Sequence, residues 1–492
     1  MTSQPAELDI SKAAIRGTAW RYVAMFTGKL MVFLSTVVLA RLLTKDDFGL
    51  VGYAVTVIAF LEGVSDLGVT AAVIYFPDEK RRISTAFWVN QVTGLLFFIG
   101  IWFAAPSIAD FFKDERVVDV SRTLALTFPL LSLGYIHESV LLKRLSFKRS
   151  FIPSFLRSVA KGVASIGFAF GGFGAWSLIY GQLAGNLVAS VSYWLVTPWK
   201  PEFAFDFKMA YELLKYGVAF IVGELLAITL LNLDYLLVGR YLSSEQMGVY
   251  TLAFRLPDLL ILEFARTLSN VLFPIYSQVR EQSAESGMAR AFFLATRYIS
   301  ILTIPMGIGL ALVAEPFIVV FFGEKWLDAV PVVQGIAVYA TILSIVHNIS
   351  SVYWAEGRPQ ILTWIGLTRL TLLFPTLFWA VTVTGSIVVV GWAQAAMALV
   401  SALINIFVAS RLIKLPMLEI ARALRPATLA GAVMAGIVYG LMQLLGDSLP
   451  EWLLLTVTVS VGGLSYLSML WFVERDIVVS AKDKLLSAIG RA

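Results

Sequence analysis

The 492-residue sequence contains no cysteine, only two histidines, His137 and His347, and just 14% charged residues. Without cysteine there is no disulfide framework, no thiol nucleophile and no zinc-thiolate or iron–sulfur site, and two histidines do not build a multi-histidine metal centre. Catalytic signatures are missing too. There is no GxxxxGK[ST] phosphate loop, no HExxH, no GxSxG, and no Asp-x-Asp pair of the kind many sugar-nucleotide transferases use to hold a divalent metal. The expectation is no ATP hydrolysis, no enzymatic activity, no metal and no cofactor.

Charge is well below the roughly 25% of an ordinary soluble protein, while 58% of residues are hydrophobic and the mean hydropathy is +0.80. A water-soluble globule is excluded. The first apolar stretch is interrupted by Arg16, Arg21 and Lys29 and lacks a basic n-region, so a cleaved secretory signal is not expected. Cutting at proline, glycine and charge clusters gives fourteen candidate transmembrane helices, near residues 14–40, 48–76, 84–105, 118–142, 152–171, 175–197, 211–238, 248–275, 291–314, 331–354, 361–383, 387–410, 427–445 and 451–473. With the N-terminus in the cytoplasm, the inside segments carry 21 Lys plus Arg and the outside ones 6, which is the positive-inside bias. Both termini are then cytoplasmic, and the net charge of +5 reads as topology and contact with anionic lipid rather than with nucleic acid.

The two halves are weakly self-similar. Arg41-Leu-Leu-Thr-Lys-Asp-Asp-Phe-Gly49 aligns with Arg240-Tyr-Leu-Ser-Ser-Glu-Gln-Met-Gly248, and Phe76-Pro77 with Phe273-Pro274. At a shift of 210, Pro106, Ile108, Phe111, Phe112 and His137 fall on Pro316, Ile318, Phe321, Phe322 and His347; at 212, Arg157 falls on Arg369 and Gln182 on Gln394. Six helices separate each feature from its copy, and six is even, so the repeat is parallel. Residues 1–205 then form an N-lobe, 206–410 a C-lobe, and 411–492 two further helices and a tail.

The whole pattern, with ARLLTKDDFGLVGYA after the first helix, SDLGVTAAVI in the second and VGRYLSSEQMGVYTLAFRLPD across the seventh and eighth, resembles the Wzx-type polysaccharide and O-antigen flippases. These belong to the superfamily of multidrug, oligosaccharidyl-lipid and polysaccharide exporters. The resemblance implies an all-α polytopic protein of two six-helix bundles plus two C-terminal helices in a bacterial inner membrane. It implies as cargo a glycan linked to undecaprenyl diphosphate, and as partners membrane lipid and the polysaccharide polymerase machinery. The polyprenyl tail would stay in lipid, in a groove formed by the last two helices.

A charge at mid-bilayer costs about 2.5–3.5 kcal/mol on insertion scales, so it faces a cavity or a partner. Arg21, Lys29, Arg157, Lys161, Arg369 and Arg255 are the candidate substrate-binding cations, since Arg forks and Lys point charges suit phosphate. The alternative pairs them with Glu62, Asp66 or Glu138, or lets them snorkel to the surface. Glu62 and Asp66, read as an i,i+4 carboxylate pair, and Asp234, Asp258 and Glu263 are candidates for ion coupling or gating. In the eighth helix Arg255 with Asp258, and Glu263 with Arg266, are each i,i+3 and can neutralise each other. His137 and His347 read as interfacial hydrogen-bonding residues near helix ends, and Pro129, Pro257, Pro305 and Pro375 as kinks.

The leading expectation is a flippase working by alternating access of two lobes around a cationic lumen. A cation-coupled drug extruder of the same fold would need a net-acidic, aromatic cavity, and a membrane glycan polymerase or ligase would need long outer loops, which are absent. Because the chain has no cysteine, single cysteines report topology without background. Glu79→Cys is expected to react with a membrane-impermeant maleimide only from the cytoplasmic side and Glu115→Cys from the outside of intact cells; the reverse pattern would invert the orientation.

Overall fold

The computed structural model describes residues 27–475 apart from 145, 283 and 284, and among them there is helix and no strand. Nine of these helices are long and apolar enough to cross a membrane, ten when the bent pair Phe207–Val218 and Gly223–Tyr241 is counted as one span. Helices α7 (Phe147–Phe170) and α10–α11 (Ser244–Pro257 and Glu263–Gln282) miss that criterion because they carry the charges. Arg157 and Lys161 sit in the first, and Arg255, Asp258, Glu263 and Arg266 in or between the other two.

The chain forms two compact units, Met1–Gly248 and Val249–Ala492. The first compact unit takes in α9 (Phe207–Tyr241) and the first turn of α10. The rest of that unit comprises α1 (27–42), α2 (Lys45–Ser65), α3 (Val69–Tyr75), α4 (Lys80–Phe112), α5 (Val117–Leu124), α6 (Thr127–Lys143) and α8 (Trp176–Val196). The stretch read as one helix over 48–76 is broken. Leu67 and Gly68 take positive φ, 47° and 68°, and the Asp66 carboxylate caps the new start by accepting from the Gly68 and Thr70 amides at 2.9 and 3.2 Å.

The loop before α2 is built to hold. Thr44 and Asp47 form a capping box, and Asp47 also accepts the Ala175 amide at 2.8 Å. Arg116 forks onto Asp46 at 2.6 and 3.0 Å, grips Asp114, and Ser244 donates to Asp46 as well. Next to this cluster the chain makes a reciprocal contact. A Cβ on Gly49 would strike the Ser244 carbonyl, and one on Gly248 the Lys45 carbonyl. In the alignment of Arg41–Gly49 with Arg240–Gly248, Lys45 corresponds to Ser244 and Gly49 to Gly248. The two copies therefore meet through equivalent backbone atoms, as a two-fold relation requires.

At the opposite end of α2–α3, Lys143 donates to the carbonyls of Val73 and Phe76, Arg82 pairs with Glu212 at 3.0 Å, and Tyr75 stacks on Tyr216. Asp206 caps α9 through the Met209 and Lys208 amides, which hold its carboxyl below the usual carboxylate range.

The second unit contains α11, α12 (Glu285–Leu312), α13 (Ala314–Phe321), α14 (Val330–Ala355), α15 (Gln360–Trp379), α16 (Ile387–Leu412), α17 (Met417–Leu445) and α18 (Glu451–Val473). Two of its helices loosen into π-turns, Asp258–Leu262 immediately after Pro257 and Ala380–Thr384 five residues after Pro375, where proline removes a backbone donor. The last two helices pack on α12 through Ile301, Ile304, Ala427, Ala430, Met434 and Leu470. Tyr466 donates to the Ile301 carbonyl at 2.7 Å, and Arg297 pairs with Glu474 just past the end of α18.

Helices α7 and α8 of the first unit pack closely. A Cβ on Gly185 would lie 2.9 Å from the Arg157 carbonyl and 3.0 Å from the Lys161 Cβ, and one on Gly181 would meet Ser165 and the Lys161 carbonyl. Small residues spaced by four let two membrane helices touch backbone to backbone. Gly185→Leu is expected to lower the thermal unfolding midpoint of the detergent-purified protein by an amount equivalent to about 1–3 kcal/mol of overpacking. An unchanged midpoint would show that the two helices separate freely.

Candidate functional site

That backbone contact aims one face of α7 inward. Ser154, Arg157, Ser158 and Lys161 recur at helical spacing and line a cavity of about 340 Å³, whose other walls are Leu131, Tyr135 and Glu138 of α6, Gln182, Ala189, Ser190 and Tyr193 of α8, and Val32 of α1. Arg157 and Lys161 are thus brought together as the sequence suggested. Lys29 is half-buried one turn before Val32 on α1, while Arg21 lies outside the described residues.

The cations are not alone. Glu62 of α2 lies within electrostatic reach of both Arg157 and Lys161. Tyr193 is hydrogen-bonded to Glu138 and reaches Ser154 at 3.5 Å, and Tyr135 is bonded to Ser65. Such pairing is what a low-dielectric interior demands, because a lone buried charge costs far more than a paired one. Asp66 is occupied otherwise. Both of its oxygens serve the α3 cap, and Asp66 and Glu62 both lie within electrostatic reach of Tyr135.

In the second unit Arg266 binds Asp258 and Glu263, each at 3.0 Å, so one arginine answers both carboxylates across the π-turn. The local pair Arg266–Glu263 is present as read. Asp258 also takes Arg266, eight residues on and brought back by the widened turn. Arg255 itself is half-buried. Arg369 is half-buried too, 3.4 Å from the Tyr339 hydroxyl, beside a cleft of about 10 Å³ with Met397 and Ser401. His347 lies near Arg266, Arg369 and Glu263. Asp234 is fully buried. His137, read as an interfacial hydrogen-bonding residue, is fully buried against the rings of Phe87, Trp194 and Trp199.

The sequence reading missed Tyr135, Tyr193 and Ser154 as cavity residues. The available signal was periodicity, since Ser154, Arg157, Ser158 and Lys161 on α7 and Gln182, Ala189 and Tyr193 on α8 share a face at spacings of three, four or seven residues. Among the described residues no group of acidic or histidine side chains has metal-ligand geometry.

Comparison with known proteins adds a second line of observation. The family described as "Polysaccharide biosynthesis protein" matches residues 38–331, more than half of the chain. The teichuronic acid biosynthesis protein TuaB of Bacillus subtilis is 28% identical across 94% of this chain and 96% of its own length. The lipopolysaccharide biosynthesis protein WzxC of Escherichia coli is 22% identical across 72% of each. Among solved structures, the lipid II flippase MurJ in an inward closed conformation superposes with a TM-score of 0.76 at 18% identity, covering 94% of this chain and all of that one. An inward-facing multidrug resistance MATE family transporter gives 0.64 at 15% identity, covering 81% of this chain and 99% of that one.

If the Asp66 carboxylate acts as a helix cap, Asp66→Ala costs about 1 kcal/mol of stability and Asp66→Asn, which keeps an acceptor oxygen, retains most of it. Equal losses in the two variants, measured as thermal unfolding midpoints, would instead assign the role to its charge.

Proposed function

The chain belongs to the polysaccharide biosynthesis protein family, and from that premise we propose that it is a flippase carrying a polyprenyl-diphosphate-linked oligosaccharide from the cytoplasmic to the outer leaflet of a bacterial inner membrane. Its relatives in sequence and fold are transporters and flippases, and it is a multi-pass membrane protein of that kind rather than an enzyme. The observation that carries the cargo is the first unit's cavity, which Arg157 and Lys161 line together. Guanidinium and ammonium groups so placed suit the oxygens of a diphosphate, and the surrounding hydroxyl, amide and carboxylate groups suit a glycan.

In this reading the chain crosses the membrane fourteen times, both termini are cytoplasmic, and the two lobes of the repeat alternate access to a cationic lumen that also draws on Lys29, Arg21, Arg255 and Arg369. Glu62, Asp66, Asp234, Asp258 and Glu263 are the candidates for ion coupling or gating. The undecaprenyl tail stays in lipid, and the delivered unit passes to polysaccharide polymerase machinery. An inside-negative potential favours outward movement of an anionic cargo by about 2.3 kcal/mol per charge per 100 mV.

The test is translocation of a fluorescent polyprenyl-diphosphate oligosaccharide in proteoliposomes, with wild type set beside Lys29→Ala and Arg157→Ala at matched reconstitution. Flipping by the wild type and a loss of at least tenfold in folded Arg157→Ala is the expected result. Proton-driven efflux of a lipophilic cation with no flipping would assign the protein to the drug extruders instead.

A further inference from the structure

The segment that joins α8 to α9 carries a face of exposed rings that the site above does not use. Phe203 is 97% exposed, Phe207 85% and Tyr211 67%, with Phe205 at 41%. Ala204 and Asp206 alternate with the three phenylalanines and are less exposed. That is the two-residue period of an extended chain showing one side to its surroundings and the other to the protein.

The inner side is tied to one face of α4, where Arg81, Ser84, Thr85 and Trp88 recur at helical spacing. The Trp88 indole donates to the Glu202 carbonyl at 2.9 Å, the Glu202 amide donates to the Ser84 hydroxyl at 3.2 Å, and the Asp206 amide donates to the Thr85 hydroxyl at 3.2 Å. Arg81 pairs with Asp206 at 3.4 Å, and the Phe203 ring stacks on Trp88 with centroids 5.2 Å apart. These contacts hold the segment in place with its rings outward, and they also fix its depth. The apolar span of α4 begins near residue 84, and Trp88 lies one turn inside that point, about 6 Å deeper at 1.5 Å per residue. Phe203 lies beside it, within the roughly 5–10 Å zone in which interfacial segments bury an apolar face. Phe207 follows Asp206, at the level of Arg81 and Thr85 where the span leaves the hydrocarbon.

Charge does not draw the segment there. Residues 78–82 and 200–215 together carry six cations, Lys80, Arg81, Arg82, Lys200, Lys208 and Lys215, against five carboxylates. Attachment therefore rests on the rings and needs no anionic lipid.

We propose that this face is an interfacial anchor whose partner is the phospholipid leaflet that surrounds α4, with Phe203, Phe205 and Phe207 inserted between headgroups and upper acyl chains. On the positive-inside assignment this is the cytoplasmic leaflet. The anchor is independent of the cargo. It spans the boundary between the two sequence repeats at residues 205 and 206, so it ties the start of the second repeat to the membrane surface.

The experiment uses the cysteine-free full-length chain in phosphatidylcholine vesicles, with a nitroxide label at Phe203→Cys, Phe205→Cys or Phe207→Cys and, as the reference in water, at Glu79→Cys. Thermal midpoints check that each labelled chain is folded. Collision of the label with oxygen, which dissolves in lipid, is compared with collision with a nickel chelate, which stays in water. At positions 203 and 207 the oxygen-to-chelate ratio is expected to be about threefold or more above that at 79, with and without added phosphatidylglycerol. Ratios at all three positions equal to that at 79 put the face in water and overturn the anchor. A ratio that rises only with phosphatidylglycerol assigns attachment to charge and overturns it too. Labels closed to both reagents in native membrane vesicles, but open to oxygen in phosphatidylcholine, place a protein on the face instead of lipid.

Discussion

An ionised group inside a hydrocarbon slab must be answered by a partner or by water, and this requirement organises the first unit more than any other force. Arg157 and Lys161 exist on α7 because Glu62, Glu138 and the phenols of Tyr135 and Tyr193 stand around them. The partners come from α2, α6 and α8, so the charges fix how four helices rotate about their axes. Gly181 and Gly185 fix how close two of them come. A bulkier residue at either position would move the α7 backbone and carry its cations away from the cavity. Shape and charge are therefore set by the same contact.

The same logic runs through the second unit with different means. There Arg266 satisfies two carboxylates, and it can reach Asp258 because the helix widens into a π-turn after Pro257. A regular helix would place residues eight apart about two turns, or roughly 12 Å, from each other along the axis. The polar stripe of the eighth helix is thus largely self-satisfied. The first unit's cavity, by contrast, draws its polar groups from several helices and leaves space between them, which is the condition for taking up a ligand.

Much of this was legible in the sequence. Hydropathy located the helices, and the correspondence of Arg41–Gly49 with Arg240–Gly248 picked out two segments that meet through the Gly49–Ser244 and Gly248–Lys45 contacts. Arg157 with Lys161 was legible because i,i+4 spacing puts two residues on one face whatever the tertiary structure. The cap made by Asp66 was hidden, since hydropathy carries no signal for a helix that breaks at an apolar residue such as Leu67, and the break offers the aspartate two backbone amides. His137 failed for a related reason, since proximity to a helix end in sequence says nothing of the aromatic rings that enclose it. The partners of Arg157 were hidden because they lie on other helices, and contacts between helices have no local period.

Fold alone does not choose the cargo, because a lipid II flippase and a multidrug transporter both superpose on this chain. The discrimination has to come from the chemistry of the cavity walls. A site for lipophilic cations gains from unopposed carboxylates and aromatic faces. Here each carboxylate that faces the cavity has a cation or a phenol beside it, and the remaining lining offers hydroxyl and amide groups that would be left unsatisfied against an apolar ligand. Leaving such groups unpaired costs about 1–3 kcal/mol apiece. A drug-like cation would incur that cost several times over, whereas a ligand bearing both phosphate oxygens and hydroxyls would not. The polar lining thus argues against the extruder by what it would leave unbonded, independently of what any relative does.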